Sequence, residues 1–203
     1  MDFTALLGMS VVCALGAMSP GPSLAVVIRN TISGGRTQGV LTGIGHGIGF
    51  TIYAFLAVTG LSAILIANES TFIFIQWSGA AILLWLSYNM LTYQASDESS
   101  NYQNSGSRGF VEGFMISFLN PKILVFLVAI FSQFIDPNMT SSDRIIMAVI
   151  AGLIDTIWYV LVAIFLAGTS IIDNLRANST LVDRMIGSVL LFLAILLIVK
   201  SIL

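Results

Sequence analysis

The segment Phe118-Leu119-Asn120-Pro121-Lys122-Ile123-Leu124 sets a proline and a charged lysine in the middle of a long apolar run. Proline lacks the backbone N–H that a helix interior needs, so it kinks or breaks a helix. An earlier apolar run is interrupted in a similar way by Ser19-Pro20-Gly21-Pro22-Ser23-Leu24. Two broken hydrophobic helices, separated by about one hundred residues, predict a small membrane transporter made of two related halves.

The composition indicates the class of protein. Of the 203 residues, 57% are hydrophobic and 9% are charged, whereas soluble domains carry roughly 25% charged residues. Lipid must solvate much of this chain, which predicts an all-α, polytopic membrane protein whose first helix is retained rather than cleaved as a signal peptide. The single cysteine, Cys13, excludes a disulfide framework, and no basic cluster indicates nucleic acid as a partner.

Six apolar runs are long enough to span a bilayer, which predicts six transmembrane helices. They cover residues 3–28, 39–66, 71–93, 110–134, 145–168 and 181–203. The segment 94–109 between the third and fourth runs is rich in serine, asparagine and acid, and we expect it to be a solvated linker on the cytoplasmic side. The chain is therefore predicted to be one transmembrane domain with two three-helix repeats, 1–93 and 110–203.

The halves resemble one another at a few positions. Pro22 corresponds to Pro121, and Gly47-Ile48-Gly49-Phe50-Thr51-Ile52-Tyr53 aligns with Gly152-Leu153-Ile154-Asp155-Thr156-Ile157-Trp158. Because three helices per half are an odd number, the second copy must be inserted upside down, which predicts an inverted repeat.

The orientation follows from the arginine and lysine count. Arg29, Arg36, Arg108, Arg176 and Arg184 follow the odd-numbered runs, against Arg144 and Lys200 on the other side. This bias predicts that both termini lie outside the cytoplasm, in a bacterial cell (inner) membrane.

Two ionisable residues are predicted to lie near the middle of the bilayer. At 1.5 Å per residue, Lys122 lies about 18 Å along the fourth run and Asp155 about 15 Å into the fifth, in a hydrocarbon layer roughly 30 Å thick. Such groups pair with one another, face water or serve function. One interpretation is a structural ion pair between Lys122 and Asp155. The other makes them a substrate or proton site.

The proline breaks indicate how a substrate carboxylate is held. A helix that restarts after Pro20-Gly21-Pro22 or after Asn120-Pro121 presents free N–H groups and a positive dipole end. We expect Asn120 to cap its helix or to donate a hydrogen bond directly, and we include Ser23 in this group. The alternative is a pair of plain proline kinks that only shape packing.

The second run contains the only histidine, His46, among glycines at four-residue spacing. Such spacing is typical of close helix packing. His46 is interpreted either as a buried, hydrogen-bonded side chain or as part of a proton relay. Without a second histidine, the sequence favours neither a metal site nor a cofactor. We expect the pair Trp158-Tyr159 to line a cavity beside Asp155.

No enzyme is predicted. An intramembrane aspartyl protease needs two facing carboxylates, and Asp155 is the only deep one. No serine, histidine and aspartate have a spacing that suggests a hydrolase, and the metalloprotease and phosphate-loop motifs are missing from the sequence.

The chain resembles the LysE/RhtB family of bacterial amino-acid exporters over nearly its whole length. The most specific parts of the resemblance are Asn120-Pro121-Lys122, Gln133-Phe134-Ile135-Asp136-Pro137, the proline break at residues 19–22 and Asp155 in the fifth run. The resemblance implies the export of amino acids from the cytoplasm, driven by the proton gradient. The expected partners are an amino acid, protons and the lipid bilayer, and the resemblance leaves a homodimer open.

One position departs from part of that family. Members that resemble exporters of basic amino acids carry an aspartate in the second helix, where this chain has Phe50. A cationic side chain would lack a partner there, so we expect neutral substrates such as homoserine, threonine or branched-chain amino acids. The alternatives are a passive channel, a membrane assembly partner without coupling, and an exporter of another small solute such as a divalent metal ion.

Overall fold

The computed structural model describes residues 3–19, 21–92, 109–166, 169 and 178–202, and these residues form helices without any strand. The predicted all-α class is confirmed. The helices are α1 (Phe3–Met18), α2 (Pro22–Ala67), α3 (Glu69–Thr92), α4 (Gly109–Phe118), α5 (Pro121–Phe131), α6 (Ser141–Leu161), which continues into a π-helical turn (Val162–Leu166), and α7 (Ser179–Ile202).

The described helices contain two or three candidate membrane spans. By length and hydropathy, α2 and the segment Ser141–Phe165 can each cross a bilayer. Helices α4 and α5 qualify together as a third candidate that is bent by 57° at the Asn120 break. The count of six spans therefore stays a prediction. Apart from Gly109, the predicted linker 94–109 lies outside the described residues, as do Arg108 and Arg176.

Helix α2 reverses direction at Gly35, whose φ of 78° and ψ of 170° are not helical. The reversal brings Ser23 Oγ to 2.9 Å from His46 Nε2, although 23 residues of straight helix would span about 35 Å. It also places Asn30 Nδ2 3.0 Å from Thr42 Oγ1. Helix α2 is therefore a hairpin of two antiparallel helices, α2a (22–34) and α2b (36–67), and the turn falls between the first two predicted apolar runs.

Replacing the glycine at this turn should destabilise the fold. A side chain at φ 78°, ψ 170° is strained, and such positions cost about 1–3 kcal/mol. We expect Gly35→Ala to lower the free energy of unfolding by that amount in detergent-solubilised protein. Gly60→Ala is the matched control, because Gly60 is helical and a Cβ there would touch nothing within 4 Å. Equal unfolding midpoints for the two variants would contradict the strained turn.

Both sequence breaks separate helices as predicted. Helix α1 ends at Met18 and α2 begins at Pro22. Gly21 is the N-cap residue of α2, has an extended backbone and provides no side-chain cap. Helix α4 ends at Phe118, and α5 begins at Pro121. Proline suits the first position of a helix, where its missing N–H is not needed. Pro20 lies outside the described residues.

Asn120 caps α5, which confirms one of its two predicted roles. Its Oδ1 accepts a hydrogen bond from the backbone N–H of Lys122 at 3.0 Å. An asparagine cap satisfies one of the donors that the first turn of a helix leaves unpaired. The proline break at Pro121 is thus a capped helix start rather than a local kink.

Helices α2b and α6 cross at closest approach through a reciprocal pair of contacts. A Cβ at Gly47 would overlap the side chain of Thr156, and a Cβ at Gly152 would overlap that of Thr51. Each threonine also donates a hydrogen bond of 2.7 Å to the glycine carbonyl four residues before it. These four residues are the glycine and threonine positions that align between the two halves of the sequence. The predicted packing role of the glycines is confirmed here.

A methyl group at either glycine should push this crossing apart. We expect Gly47→Ala and Gly152→Ala to lower the free energy of unfolding by similar amounts, about 1–3 kcal/mol, which is typical of overpacked cores. Thermal unfolding in detergent measures both changes. Two effects that differ severalfold would show that the contacts are not equivalent.

A polar cluster ties the hairpin turn to α4. Arg29 pairs with Glu112, and Asn30 Nδ2 donates a hydrogen bond of 2.8 Å to the same carboxylate. Asn30 is 7% exposed, so these contacts satisfy a buried amide. Glu112 meets Arg29 because the reversal at Gly35 directs α2a back along α4.

Two apolar clusters pack the helices together near the two helix breaks. The larger one includes Met9, Leu127, Phe131 and Met147, and joins α1, α5 and α6 to α2b. The smaller one packs α2a against α6 and the π-helical turn through Leu24, Val27, Ile28, Tyr159, Val162 and Ala163. The space between the two clusters lies beside both helix breaks.

Candidate functional site

A cavity of about 80 Å³ lies where the two broken helices meet. A single water molecule needs roughly 10–15 Å³ by the same kind of measure, so the cavity holds several waters or part of a small solute. Its walls come from α1, α2, α5, α6 and the break after α1, and consist of Cys13, Gly16, Ala17, Ser19, Gly21, Pro22, Ser23, His46, Phe50, Asn120, Lys122, Ile123, Phe126, Asp155 and Tyr159.

A chain of three buried polar side chains forms one wall. His46 Nδ1 lies 2.6 Å from Asp155 Oδ2, and His46 Nε2 lies 2.9 Å from Ser23 Oγ. Asp155 is 3% exposed, His46 1% and Ser23 7%. A buried carboxylate is costly unless it is paired and hydrogen-bonded, and His46 supplies that partner.

Tyr159 closes the chain on the side of α6. Its ring packs edge-on against the imidazole of His46, with the ring centroids 4.5 Å apart. Its phenol also interacts with Ser23. Tyr159 lines the cavity as expected, whereas Trp158 packs against the smaller apolar cluster. The hydroxyl of Ser23 therefore lies between an imidazole and a phenol.

Lys122 lies in the first turn of α5. Its side chain is exposed and lines the cavity. The expected ion pair between Lys122 and Asp155 is not the one that forms, because the carboxylate contacts His46. The crossing of α2b and α6 at Gly47 brings His46 directly against Asp155, while Lys122 remains beside the break.

The cavity is thus bounded by two helix starts, a lysine and a buried histidine–aspartate pair, in a chain rich in apolar helices. A family model described as "LysE type translocator" matches residues 14–201. The chain belongs to the LysE family of translocators. The family resemblance read from the sequence is confirmed.

Several curated proteins are similar to this LysE-family chain. The uncharacterized membrane protein YahN of Escherichia coli (strain K12) is 26% identical over 188 residues, which cover 91% of this chain and 84% of that protein. A protein named leucine efflux protein from Klebsiella pneumoniae is 32% identical over 122 residues, 59% of this chain and 58% of that protein. Another leucine efflux protein, from Enterobacter sp. (strain 638), is 31% identical over 126 residues, 61% of this chain and 60% of that protein. No solved structure matches the chain.

The structure of this LysE-family chain brings most of the predicted site residues to one cavity. Lys122, Asn120 and Asp155 all line it, as do Gly21, Pro22, Ser23 and His46. Pro121 begins α5 beside these residues, and Pro20 lies outside the described part of the chain. Whether these residues bind a substrate or a proton stays a prediction.

Part of the cavity wall was not predicted from the sequence. Cys13, Gly16, Ala17, Ile123 and Phe126 complete the cavity. They lie within about two turns of a helix break, so proximity to the prolines was the signal that would have found them. Small residues before the first break leave room for the ring of Phe126, which lies within 3.1 Å of where a Cβ of Gly16 would be.

The sequence contains no serine, histidine and aspartate at a spacing that suggests a hydrolase, yet Ser23, His46 and Asp155 are linked in the order of a hydrolase triad. Their positions in the sequence, 23 and 109 residues apart, gave no indication of this contact. In a translocator family, the same hydrogen-bonded chain is suited to moving a proton between a carboxylate and a hydroxyl.

Proposed function

We propose that this protein exports neutral amino acids, such as leucine, threonine or homoserine, from the bacterial cytoplasm by exchange for protons. The observation that carries the proposal is the cavity itself. Its lining combines two helix starts, a lysine, a buried histidine–aspartate pair and apolar side chains. A neutral zwitterion suits this lining, with its carboxylate at the lysine and its ammonium group near the acidic pair.

The carboxylate of the substrate would bind beside Lys122 and the first turn of α2. No side chain caps α2, so its first N–H groups remain available to a ligand. Free N–H groups and the positive end of the helix dipole together favour an anion. Lys122, exposed to the cavity from the start of α5, adds a full positive charge.

The ammonium group of the substrate and a proton would compete at the histidine–aspartate pair. Asp155 and His46 form a pair that can take up one proton, and the pair lines the cavity. A substrate ammonium and a proton both bind to the ionised carboxylate, so the binding of one weakens the binding of the other. That competition is a physical basis for antiport. One charge crossing 100 mV supplies about 2.3 kcal/mol, enough for roughly a fifty-fold gradient.

Phe50 and Phe126 support a substrate with an uncharged side chain. Both lie in the cavity wall, and Phe50 stands opposite Asp155 in the alignment of the two halves, where a second acid would be needed for a cationic side chain. Relatives named leucine efflux proteins are 31% and 32% identical to the chain. Leucine is therefore the first substrate to test, followed by threonine and homoserine.

The reciprocal contacts of Gly47 with Thr156 and of Gly152 with Thr51 support an inverted repeat. In such transporters, two halves rock about a site near the midplane of the membrane. We propose that residues 1–93 and 110–203 are those halves, joined by a cytoplasmic linker, with both termini outside an inner membrane. A homodimer is compatible with this arrangement.

A passive channel is the alternative from another class. It would need a continuous polar path, whereas Phe50, Ile123 and Phe126 form part of the cavity wall. A divalent metal ion as cargo would meet the positive charge of Lys122 in the same cavity. Coupling to a pH gradient separates the exporter from the channel.

Reconstituted protein tests the proposal. We expect purified protein in liposomes to accumulate labelled L-leucine in an acidic lumen, with the membrane potential clamped by potassium and valinomycin. Protein-free liposomes and an equal-pH lumen are the controls. Transport that equilibrates leucine without regard to the pH gradient would favour the channel, and no transport of leucine, threonine or homoserine would refute the proposed substrate class.

A further inference from the structure

The hydroxyl of Ser23 is the feature of the cavity that the proposed function leaves unexplained. It lies in the first turn of α2, 2.9 Å from His46 Nε2, and lines the cavity. The opposite ring nitrogen of His46 lies 2.6 Å from Asp155 Oδ2. Ser23 thus connects the proton-binding pair, which lines the cavity as well, to the first turn of α2 through a hydrogen bond.

The direction of that hydrogen bond depends on the protonation of the pair. When Asp155 is ionised and His46 is neutral, Nδ1 carries the hydrogen and donates it to the carboxylate, so Nε2 is an acceptor. Ser23 must then donate its hydroxyl hydrogen to Nε2. The lone pairs of Ser23 Oγ remain turned towards its other neighbours, which are the cavity and Tyr159.

One added proton reverses the bond. If the proton binds in the contact between Asp155 and His46 or on the ring itself, Nε2 carries a hydrogen in either case and becomes a donor. Ser23 Oγ must then accept that hydrogen, and its own O–H turns outward. The cavity therefore meets an acceptor at Ser23 when the pair is unloaded and a donor when it is loaded.

We propose that Ser23 is the residue through which the bound proton expels the substrate ammonium. This inference rests on the proposed function and refines it. An ammonium group carries only donors. It therefore binds the unloaded form of Ser23, which offers both lone pairs, more tightly than the loaded form, which keeps one lone pair and turns its O–H towards the cavity. Competition between proton and substrate then arises without direct contact between the ammonium and the buried carboxylate, and Ser23 acts as a positioning residue.

Other ionisable groups line the cavity near Ser23 from the neighbouring helices. Within the described residues they are Cys13 from α1, Lys122 from α5 and Tyr159 from α6. The phenol of Tyr159 also interacts with Ser23. In our proposal Lys122 binds the substrate carboxylate, so it should stay charged whichever way the Ser23 hydrogen bond points.

His46 is the only histidine in the chain, so ¹⁵N-histidine labelling reports on one imidazole. In detergent-solubilised full-length protein, we expect NMR to show a protonated Nδ1 and a bare Nε2 at alkaline pH, and protonation of Nε2 on acidification. A bare Nδ1 at alkaline pH, or an Nε2 that stays bare at acidic pH because the proton binds Asp155 Oδ1, would overturn the proposed reversal.

Ligand binding tests the coupling with the same signal. By reciprocity of linked equilibria, L-leucine should shift the titration midpoint of His46 to lower pH, because it binds the unprotonated pair more tightly. The analogue 4-methylpentanoate, which lacks the ammonium group, should not cause this shift. Ser23→Ala should abolish the leucine shift, Ser23→Thr should retain it, and Ser10→Ala, a serine of α1 outside the cavity, should leave it unchanged.

The outcomes separate this inference from the proposed function. A leucine shift that survives in Ser23→Ala means that Asp155 contacts the ammonium directly, which overturns the role of Ser23 and leaves antiport intact. If leucine, threonine and homoserine all fail to bind wild-type protein, the proposed substrate class fails and the ammonium step falls with it. The reversal of the Ser23 bond is still decided by the ring nitrogen signals.

Discussion

Asp155→Asn should abolish the coupling of transport to the pH gradient. With a lumen one pH unit more acidic than the outside and no membrane potential, exchange of one proton per leucine yields about tenfold accumulation, since 1.4 kcal/mol corresponds to a factor of ten. Asparagine takes up no proton, and a lone buried imidazolium would be left without a compensating charge. We expect the accumulation ratio of the variant to fall to about one, as measured by labelled leucine at equilibrium in liposomes.

The matched control for this variant is Asp136→Asn. Asp136 is exposed beyond the end of α5 and does not line the cavity, so its variant should retain the wild-type ratio. Thermal unfolding of Asp155→Asn shows whether the protein still folds, and Asp155→Glu provides a second variant that keeps an acid. Gradient-driven accumulation by folded Asp155→Asn would refute the coupling role of Asp155.

Lys122→Ala should weaken substrate binding with little effect on the fold. A hydrogen bond to a charged group contributes about 1.5–3 kcal/mol, so we expect the dissociation constant of leucine to rise about 10–150-fold. Because the lysine side chain is exposed, the unfolding midpoint should stay near that of the wild type. Equilibrium binding of labelled leucine to the detergent-solubilised proteins measures the dissociation constants.

Two controls assign the effect to the carboxylate. Lys122→Arg keeps the charge and should bind leucine more tightly than Lys122→Ala. The amine 3-methylbutylamine, which has no carboxylate, should bind wild type and Lys122→Ala equally. Wild-type leucine affinity in Lys122→Ala would mean that Lys122 is a surface charge beside the break rather than part of the site.

Local features of the fold could be predicted from the sequence because their causes are local. A proline ends one helix and starts the next whatever surrounds it, so the starts of α2 and α5 at Pro22 and Pro121 were predictable. The cap of Asn120 on the N–H of Lys122 is a contact between neighbours in the chain. Glycines that recur every four residues predicted that α2b would pack closely.

The partners of the charged residues could not be predicted in the same way. Depth in the membrane placed Lys122 and Asp155 at similar levels, which made them plausible partners. Depth in the membrane does not decide which face of a helix a side chain occupies. The side chain that faces Asp155 is His46, not Lys122. The contact between Arg29 and Glu112 was missed for the same reason, since it depends on the course of α2a after the turn.

By itself, the sequence determined the lipid-compatible helical class, the two helix breaks and the set of residues near them. Composition, proline geometry and glycine spacing act through the chain's own neighbours, so no tertiary contact was needed. Only the tertiary structure decided that Ser23, His46 and Asp155 form one hydrogen-bonded chain. That chain exists because the reversal at Gly35 folds α2a onto α2b and because Gly47 and Gly152 let α2b and α6 touch.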